Sequence, residues 1–271
     1  MRDTAYPLTA DQITSYRENG FVQLNDVITG ADLERLRAAV EAAVKDETLP
    51  DRQKGRLGAY EQLFIQKVNL WRRHPVIREY VLCRRFGNIA ASLSGLPMRL
   101  WHDQALFKEP EIATRTPWHQ DAHYWPHVQK GNQVSIWIAL EDATIRNGCM
   151  SFLPGTHVHG NIPAVDLGNP QDIFQLAPQL KGIKPVTCEL KAGSCTFHNG
   201  LTFHYAGPNK SDRMREAFAI LYMPDGTAYS GAGHCVIEKD AFQPGDPLDS
   251  ETFPLVSEAE KCEVRRAKCE V

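Results

Sequence analysis

The seven residues Val134-Ser135-Ile136-Trp137-Ile138-Ala139-Leu140 separate cleanly by face. Side chains alternate across a strand, so Val134, Ile136, Ile138 and Leu140 form one continuous apolar side, while Ser135, Trp137 and Ala139 form the other. The first side needs another layer packed against it. The second carries one aromatic ring between two small residues, which suits a cavity wall better than a packed core.

The rest of the chain changes character at Pro97. Before it the pattern is mainly helical. Thr9-Ala10-Asp11-Gln12 reads as a capping box opening a helix that ends near Asn19-Gly20. Phe21 to Leu24 is a brief strand, and a second helix starts near Thr29, with Leu33, Leu36, Val40 and Val44 at helical spacing. Another helical region is expected over Val76 to Leu93. After Pro97, short β-favouring runs alternate with Pro, Gly and Asn turns: Met98–Lys108, Gln133–Leu140, Gly148–Leu153, Cys188–Leu190, Ser194–His198 and Ala217–Met223. Helices followed by many short strands predict an α+β, mainly β chain with a jelly-roll or barrel core. The 271 residues are expected to form one domain, with a helical flank over 1–96, the core over 97–225 and a C-terminal extension over 226–271. Pro163 to Pro185 is a polar insertion that could serve as a lid.

The chemistry concentrates in Trp118-His119-Gln120-Asp121, answered by His204 83 residues after Asp121 and by Arg215 eleven residues later. Two histidines and one carboxylate make up a facial-triad iron(II) ligand set, which leaves coordination positions open. On a strand, His119 and Asp121 would share a face while Gln120 points away. An open iron face can bind a 2-oxo acid and then oxygen. If that acid carries a second carboxylate, it needs a fixed cation, and arginine's fork matches it with two parallel hydrogen bonds. The turn-like Gly207-Pro208-Asn209-Lys210-Ser211-Asp212 allows His204 on one strand and Arg215 on its hairpin partner, with Ala217 and Ala219 leaving room beside the guanidinium. His198 rivals His204, and Arg213 rivals Arg215, because periodicity alone does not separate them.

Composition excludes several other classes. A net charge of −3 with no long basic run gives no sign of a nucleic-acid partner. No apolar stretch approaches the roughly 20 residues needed to span a bilayer. Met1 to Pro7 lacks the apolar run of a secretory signal, so a cytoplasmic protein is expected. Seven scattered cysteines, without a C-x-x-C pair, fit reduced thiols.

These motifs, together with Asn147-Gly148-Cys149-Met150-Ser151-Phe152-Leu153-Pro154-Gly155-Thr156-His157, resemble the phytanoyl-CoA dioxygenase family of iron(II)- and 2-oxoglutarate-dependent oxygenases. The resemblance runs from the first helix to about Asp225. It implies a double-stranded β-helix (jelly-roll) with flanking helices, with His119, Asp121 and His204 as iron ligands and Arg215 as anchor of the 2-oxoglutarate distal carboxylate. It further implies Trp137 lining that pocket and Lys67 and Gln104 near the co-substrate. Oxygen would be the other co-substrate, and succinate and carbon dioxide the co-products. Relatives that halogenate lack the carboxylate, so Asp121 points to hydroxylation of a small molecule. Tyr60, Phe64, Tyr124, Trp125, Phe152 and Tyr205 are candidates for lining the substrate pocket. The competing readings are a non-catalytic or zinc-binding jelly-roll module and a cupin-type metal-dependent isomerase or hydrolase. Both leave Arg215 and Trp137 without roles.

Overall fold

The computed structural model describes residues 4–46, 65–111, 115–162, 171–238 and 241–257. Tyr60, Phe64, Cys262 and Cys269 lie outside the described residues. Helix α1 (Ala10–Asn19) opens on the expected capping box, with Thr9 Oγ1 accepting from the Gln12 N–H at 3.2 Å and the Gln12 side chain accepting from the Thr9 N–H at 2.9 Å. It stops at Gly20, whose φ of 78° is open to glycine and costly for most other residues. A Cβ there would also lie 2.3 Å from Thr202 Oγ1, so the turn into β1 (Phe21–Leu24) has no room for a side chain. Helix α2 (Gly30–Val44) follows, burying Leu33, Leu36, Val40 and Ala43. The single helical region expected over Val76 to Leu93 is two helices, α3 (Pro75–Val81) and α4 (Arg84–Ser94). The break comes where Leu82 caps α3 and Cys83 turns extended, at φ −68° and ψ 140°.

Two antiparallel sheets follow. The larger contains β1, β2 (Ile65–Val68), β3 (Met98–Lys108), β5 (Val134–Ala139), β8 (Cys195–Asn199), β10 (Arg215–Pro224) and β11 (Leu255–Ser257). Its order is β1-β8-β5-β10-β3-β11, with β2 also pairing β3. The smaller runs β4 (Thr116–His119), β9 (His204–Ala206), β6 (Met150–Phe152) and β7 (Val186–Cys188). Neither β2 nor β11 was evident in the sequence. Both lie along the free edge of β3, which the C-terminal extension thereby helps to close. The result is the jelly-roll core that the short strands predict.

The two faces of β5 part as their composition requires. Val134, Ile136, Ile138 and Leu140 join Leu36, Val40, Phe86 and Ile89 in the core between the larger sheet and the helices. Trp137 and Ala139 join Trp101, Phe152, Ala217 and Ala219 between the two sheets. Ile136 and Ile138 are fully buried, and each such side chain contributes about 1.5–3 kcal/mol. The described part of the polar insertion carries a short helix α5 (Ile173–Leu176). Its Ile173, with Ala177 and Leu180 beyond it, packs with Leu153, Ile162 and Phe203 in a satellite core.

On the helical face of β3, Asp103 is fully buried and accepts the N–H groups of Leu70 and Trp71 at 3.1 and 3.2 Å. Burial pushes its carboxyl up to about 7 against those bonds. Asp103→Ala is expected to lower the unfolding free energy by about 2–4 kcal/mol by leaving two buried donors unpaired. Urea denaturation measures the change.

Candidate metal centre

His119 is the last residue of β4. Gln120 remains extended, at φ −111° and ψ 130°, and Asp121 opens a 3-10 turn over Asp121–Tyr124. The pair therefore shares a face as expected, although only His119 is on the strand. Gln120 points the other way. Its amide donates to Leu201 O at 2.7 Å and to Gly160 O at 2.9 Å, and accepts from the Ile162 N–H at 2.9 Å. The turn is held from outside by Lys130, whose ammonium donates to the carbonyls of Ala122 and Trp125 at 2.6 and 2.7 Å.

His204 starts β9 directly opposite His119 in register, and the two ring centroids are 4.1 Å apart. Each histidine uses Nδ1 in the same way. His119 Nδ1 lies 2.8 Å from Pro117 O and His204 Nδ1 lies 3.0 Å from Thr202 O. A carbonyl only accepts, so Nδ1 carries the hydrogen and Nε2 presents a lone pair. Burial and the nearby His204 hold the His119 pKa below its ordinary value, which keeps it neutral. Both Nε2 atoms face Asp121 Oδ1, at 3.6 Å from His119 and 3.5 Å from His204. Donors bound about 2.1 Å from a metal at right angles lie about 3 Å apart. A cation would need to shorten each of these two distances by only about half an ångström. Among the described residues it is the one group of three or more His, Cys, Asp or Glu side chains converging this closely.

Asp121 Oδ2 is occupied elsewhere. Ser135 Oγ donates to it at 3.1 Å, and His198 Nε2 lies 3.3 Å away. Ser135 and His198 face each other across β5 and β8. His198 thus stands behind the carboxylate rather than in place of His204. Burial raises the Asp121 pKa, but His204, His119 and His198 together outweigh it and hold the group well below the usual carboxylate range.

Arg215 opens β10 in the larger sheet, whereas β9 belongs to the smaller one. The segment between them crosses from sheet to sheet instead of closing a hairpin. Asn209 shapes it, donating to Lys108 O at 3.1 Å and to Arg213 O at 2.7 Å while accepting from the Ser211 N–H and hydroxyl. Arg213 falls in this bend and is exposed, while Arg215 is buried. The Arg215 guanidinium carbon lies 5.2 Å from the Trp137 ring centroid. Its Nη1 donates to Leu106 O at 3.1 Å, and its Nε is buried without a hydrogen-bond partner. No carboxylate among the described residues pairs with it. Burial brings its pKa down to about 10, so it keeps its charge at neutral pH. A buried unpaired cation is costly, and the site is accordingly shaped for an anion.

The remaining sequence candidates divide. Gln104 shares a cross-sheet row with Ala219 and Trp137, and its Oε1 accepts from Gln66 at 2.5 Å. Lys67 falls on the opposite face of β2, in register with Ala105, with its ammonium 3.4 Å from Asp46 O on the helical side. The strand phase turns its neighbour Gln66 toward the site instead. Tyr124 stands 6.3 Å from the His119 ring, and Phe152 packs behind the histidines, 5.4 Å from His198 and 6.2 Å from His204. Trp125 is buried beside His127, and Tyr205 stacks on Trp118 on the far side of β9. His157 Nε2 meets Arg17 O at 3.1 Å, a contact of the fold. Sequence reasoning passed over Ser135, Gln66 and Lys108. The alternation puts Ser135 on the same face as Trp137 and Ala139, but only the tertiary structure shows that it meets Asp121. Ser135→Ala is expected to weaken metal binding by roughly ten- to a hundredfold, by releasing Oδ2, with the far-UV circular dichroism unchanged. Anaerobic iron(II) titration provides the measurement.

The sequence profile of the phytanoyl-CoA dioxygenase (PhyH) family matches residues 16–217. The peroxisomal phytanoyl-CoA dioxygenase of Mus musculus is 27% identical over 240 residues, covering 79% of this chain and 68% of the mouse protein. Phytanoyl-CoA dioxygenase of Arabidopsis thaliana is 30% identical over 169 residues, covering 61% of this chain and 59% of the plant protein. Among solved structures, the non-heme α-ketoglutarate-dependent carbocyclase SnoK from nogalamycin biosynthesis is 28% identical with a TM-score of 0.83, covering 94% of this chain and 99% of its own. The epimerase SnoN, solved with Fe3+, α-ketoglutarate and nogalamycin RO, is 26% identical with a TM-score of 0.76, covering 91% and 98%. With three quarters of its length inside the family profile and this fold around the His-Asp-His cluster, the chain belongs to the phytanoyl-CoA dioxygenase family.

Proposed function

We propose that this protein is a non-haem iron(II)- and 2-oxoglutarate-dependent oxygenase that attacks a C–H bond of a small molecule, with release of succinate and carbon dioxide. The observation that carries the reading is the conjunction, between the two sheets, of the His119–Asp121–His204 cluster and the buried Arg215 over Trp137, whose Nε has no hydrogen-bond partner and which makes no ion pair with any described residue. A structural or zinc-binding jelly-roll would have a use for the first and none for the second. Ser135 holds Asp121, and Trp137, which Arg215 overlies, is two residues further along the same strand.

Iron(II) held by the two Nε2 atoms and Asp121 Oδ1 would supply oxygen activation, which no side chain provides. The protein's part is positional. Ser135 and His198 hold Oδ2, so Asp121 would offer Oδ1 to the metal. Arg215 takes the far carboxylate of the co-substrate, Trp137 flanks its carbon chain, and Ala217 and Ala219 leave the volume it occupies. Gln104 and Gln66 lie on the wall beyond. No general base is required.

A second reading concerns outcome rather than class. The likeness to SnoK, a carbocyclase, and SnoN, an epimerase, favours ring closure or epimerisation as alternatives to hydroxylation. Product mass separates the three: an added oxygen, the loss of two hydrogens, or no change.

Anaerobic addition of iron(II) and 2-oxoglutarate is expected to produce the weak visible metal-to-ligand charge-transfer band. Arg215→Ala should weaken 2-oxoglutarate binding by at least tenfold, as for a lost charge-assisted hydrogen bond. Asp121→Ala should abolish substrate-coupled succinate release. Absence of the band, with Arg215→Ala behaving like wild type, would overturn the proposal.

A further inference from the structure

Lys108 ends β3 in direct register with Arg215 and is fully buried. Its side chain crosses from the larger sheet to the smaller one, where Nζ donates to Gly207 O at 2.6 Å and to Ala206 O at 3.3 Å. Both partners are carbonyls. No carboxylate among the described residues lies within ion-pair reach of Nζ. Of the groups around it, β10 contributes the like charge of Arg215, and the end of β9 contributes carbonyls alone. Glu141 and Cys149 act on Arg215, not on Lys108. Two buried basic side chains thus stand side by side, and no carboxylate among the described residues makes an ion pair with either.

A carboxylate has about four lone-pair sites, and a bidentate guanidinium uses only two. An ammonium bonded to two carbonyls retains a third N–H. We propose that Lys108 is a second donor of the co-substrate pocket, pairing with the far carboxylate of the 2-oxo diacid beside Arg215. This rests on the oxygenase reading above. It also implies a proton linkage. Burial and Arg215 bring the Lys108 amine down to about 6, so at neutral pH it is largely uncharged until an anion arrives. An arriving carboxylate raises that pKa, so binding takes up a proton. Affinity for the diacid then falls as pH rises above about 6.

The experiment is anaerobic calorimetric titration of the iron(II)-loaded protein with 2-oxoglutarate and with 2-oxopentanoate, which has the same chain length but no far carboxylate. Lys108→Met is expected to weaken 2-oxoglutarate binding by roughly ten- to a hundredfold and to leave 2-oxopentanoate binding unchanged. Lys108→Arg should retain the preference for the diacid. In two buffers of different ionisation heat, the wild type should take up protons on binding 2-oxoglutarate, and Lys108→Met should lose that uptake. Equal weakening of both acids would make Lys108 a strut between the sheets and overturn the proposal, as would no weakening of either. Failure of the wild type to bind 2-oxoglutarate would instead remove the oxygenase reading on which the proposal stands.

Discussion

The carboxylate of Asp121 is the point at which the two sheets are tied together. One oxygen faces His119 and His204, which come from paired strands of the smaller sheet. The other meets Ser135 and His198, which come from paired strands of the larger sheet. A buried carboxylate is tolerable only where such partners outweigh its desolvation, and here four side chains converge on it. Its place in the chain, one extended residue past the end of β4, lets a single turn serve both sheets.

The helical layer makes this arrangement possible. The apolar side of the larger sheet packs against α2 and α4 in an extensive core, which can offset the cost of keeping polar and charged groups between the sheets. The inner side carries small residues beside Trp137: across β10 and β5, Ala219 pairs with Trp137 and Ala217 with Ala139. Arg215 and Lys108 share this low-dielectric space, and no carboxylate among the described residues makes an ion pair with either. The Arg215 charge would favour an anion placed beside it. Polarity is thereby sorted along the strands, with the His-Asp cluster at one level and the cations at another.

Much of this could be read from the chain. The capping box at Thr9, the faces of β5, the strand at Ser194–His198 and the shared face of His119 and Asp121 all follow from local periodicity and turn chemistry. The single helix expected over Val76–Leu93 failed because apolar spacing continues across Leu82-Cys83 while the backbone does not. Strand β2 carries Gln66 and Lys67 on alternate faces, and only its pairing with β3 shows which of them turns toward the cavity. Strand β11 has too few residues to announce itself, and it exists because the edge of β3 needs a partner.

The sequence by itself determined the classes of chemistry present: a His-x-Asp pair, a later histidine, a downstream arginine and a sheet with one open face. These are local properties, carried by residue type and by alternation every second position. Tertiary structure decided which of two candidates joins the His119–Asp121 cluster and which arginine is buried over Trp137. His204 rather than His198 lies across from His119, because β9 pairs with β4 while β8 sits in the other sheet. Arg215 rather than Arg213 is buried, because β10 begins only after the crossing between sheets that Asn209 shapes. Register and sheet assignment are long-range properties of strand pairing, and a period of two along one strand contains neither.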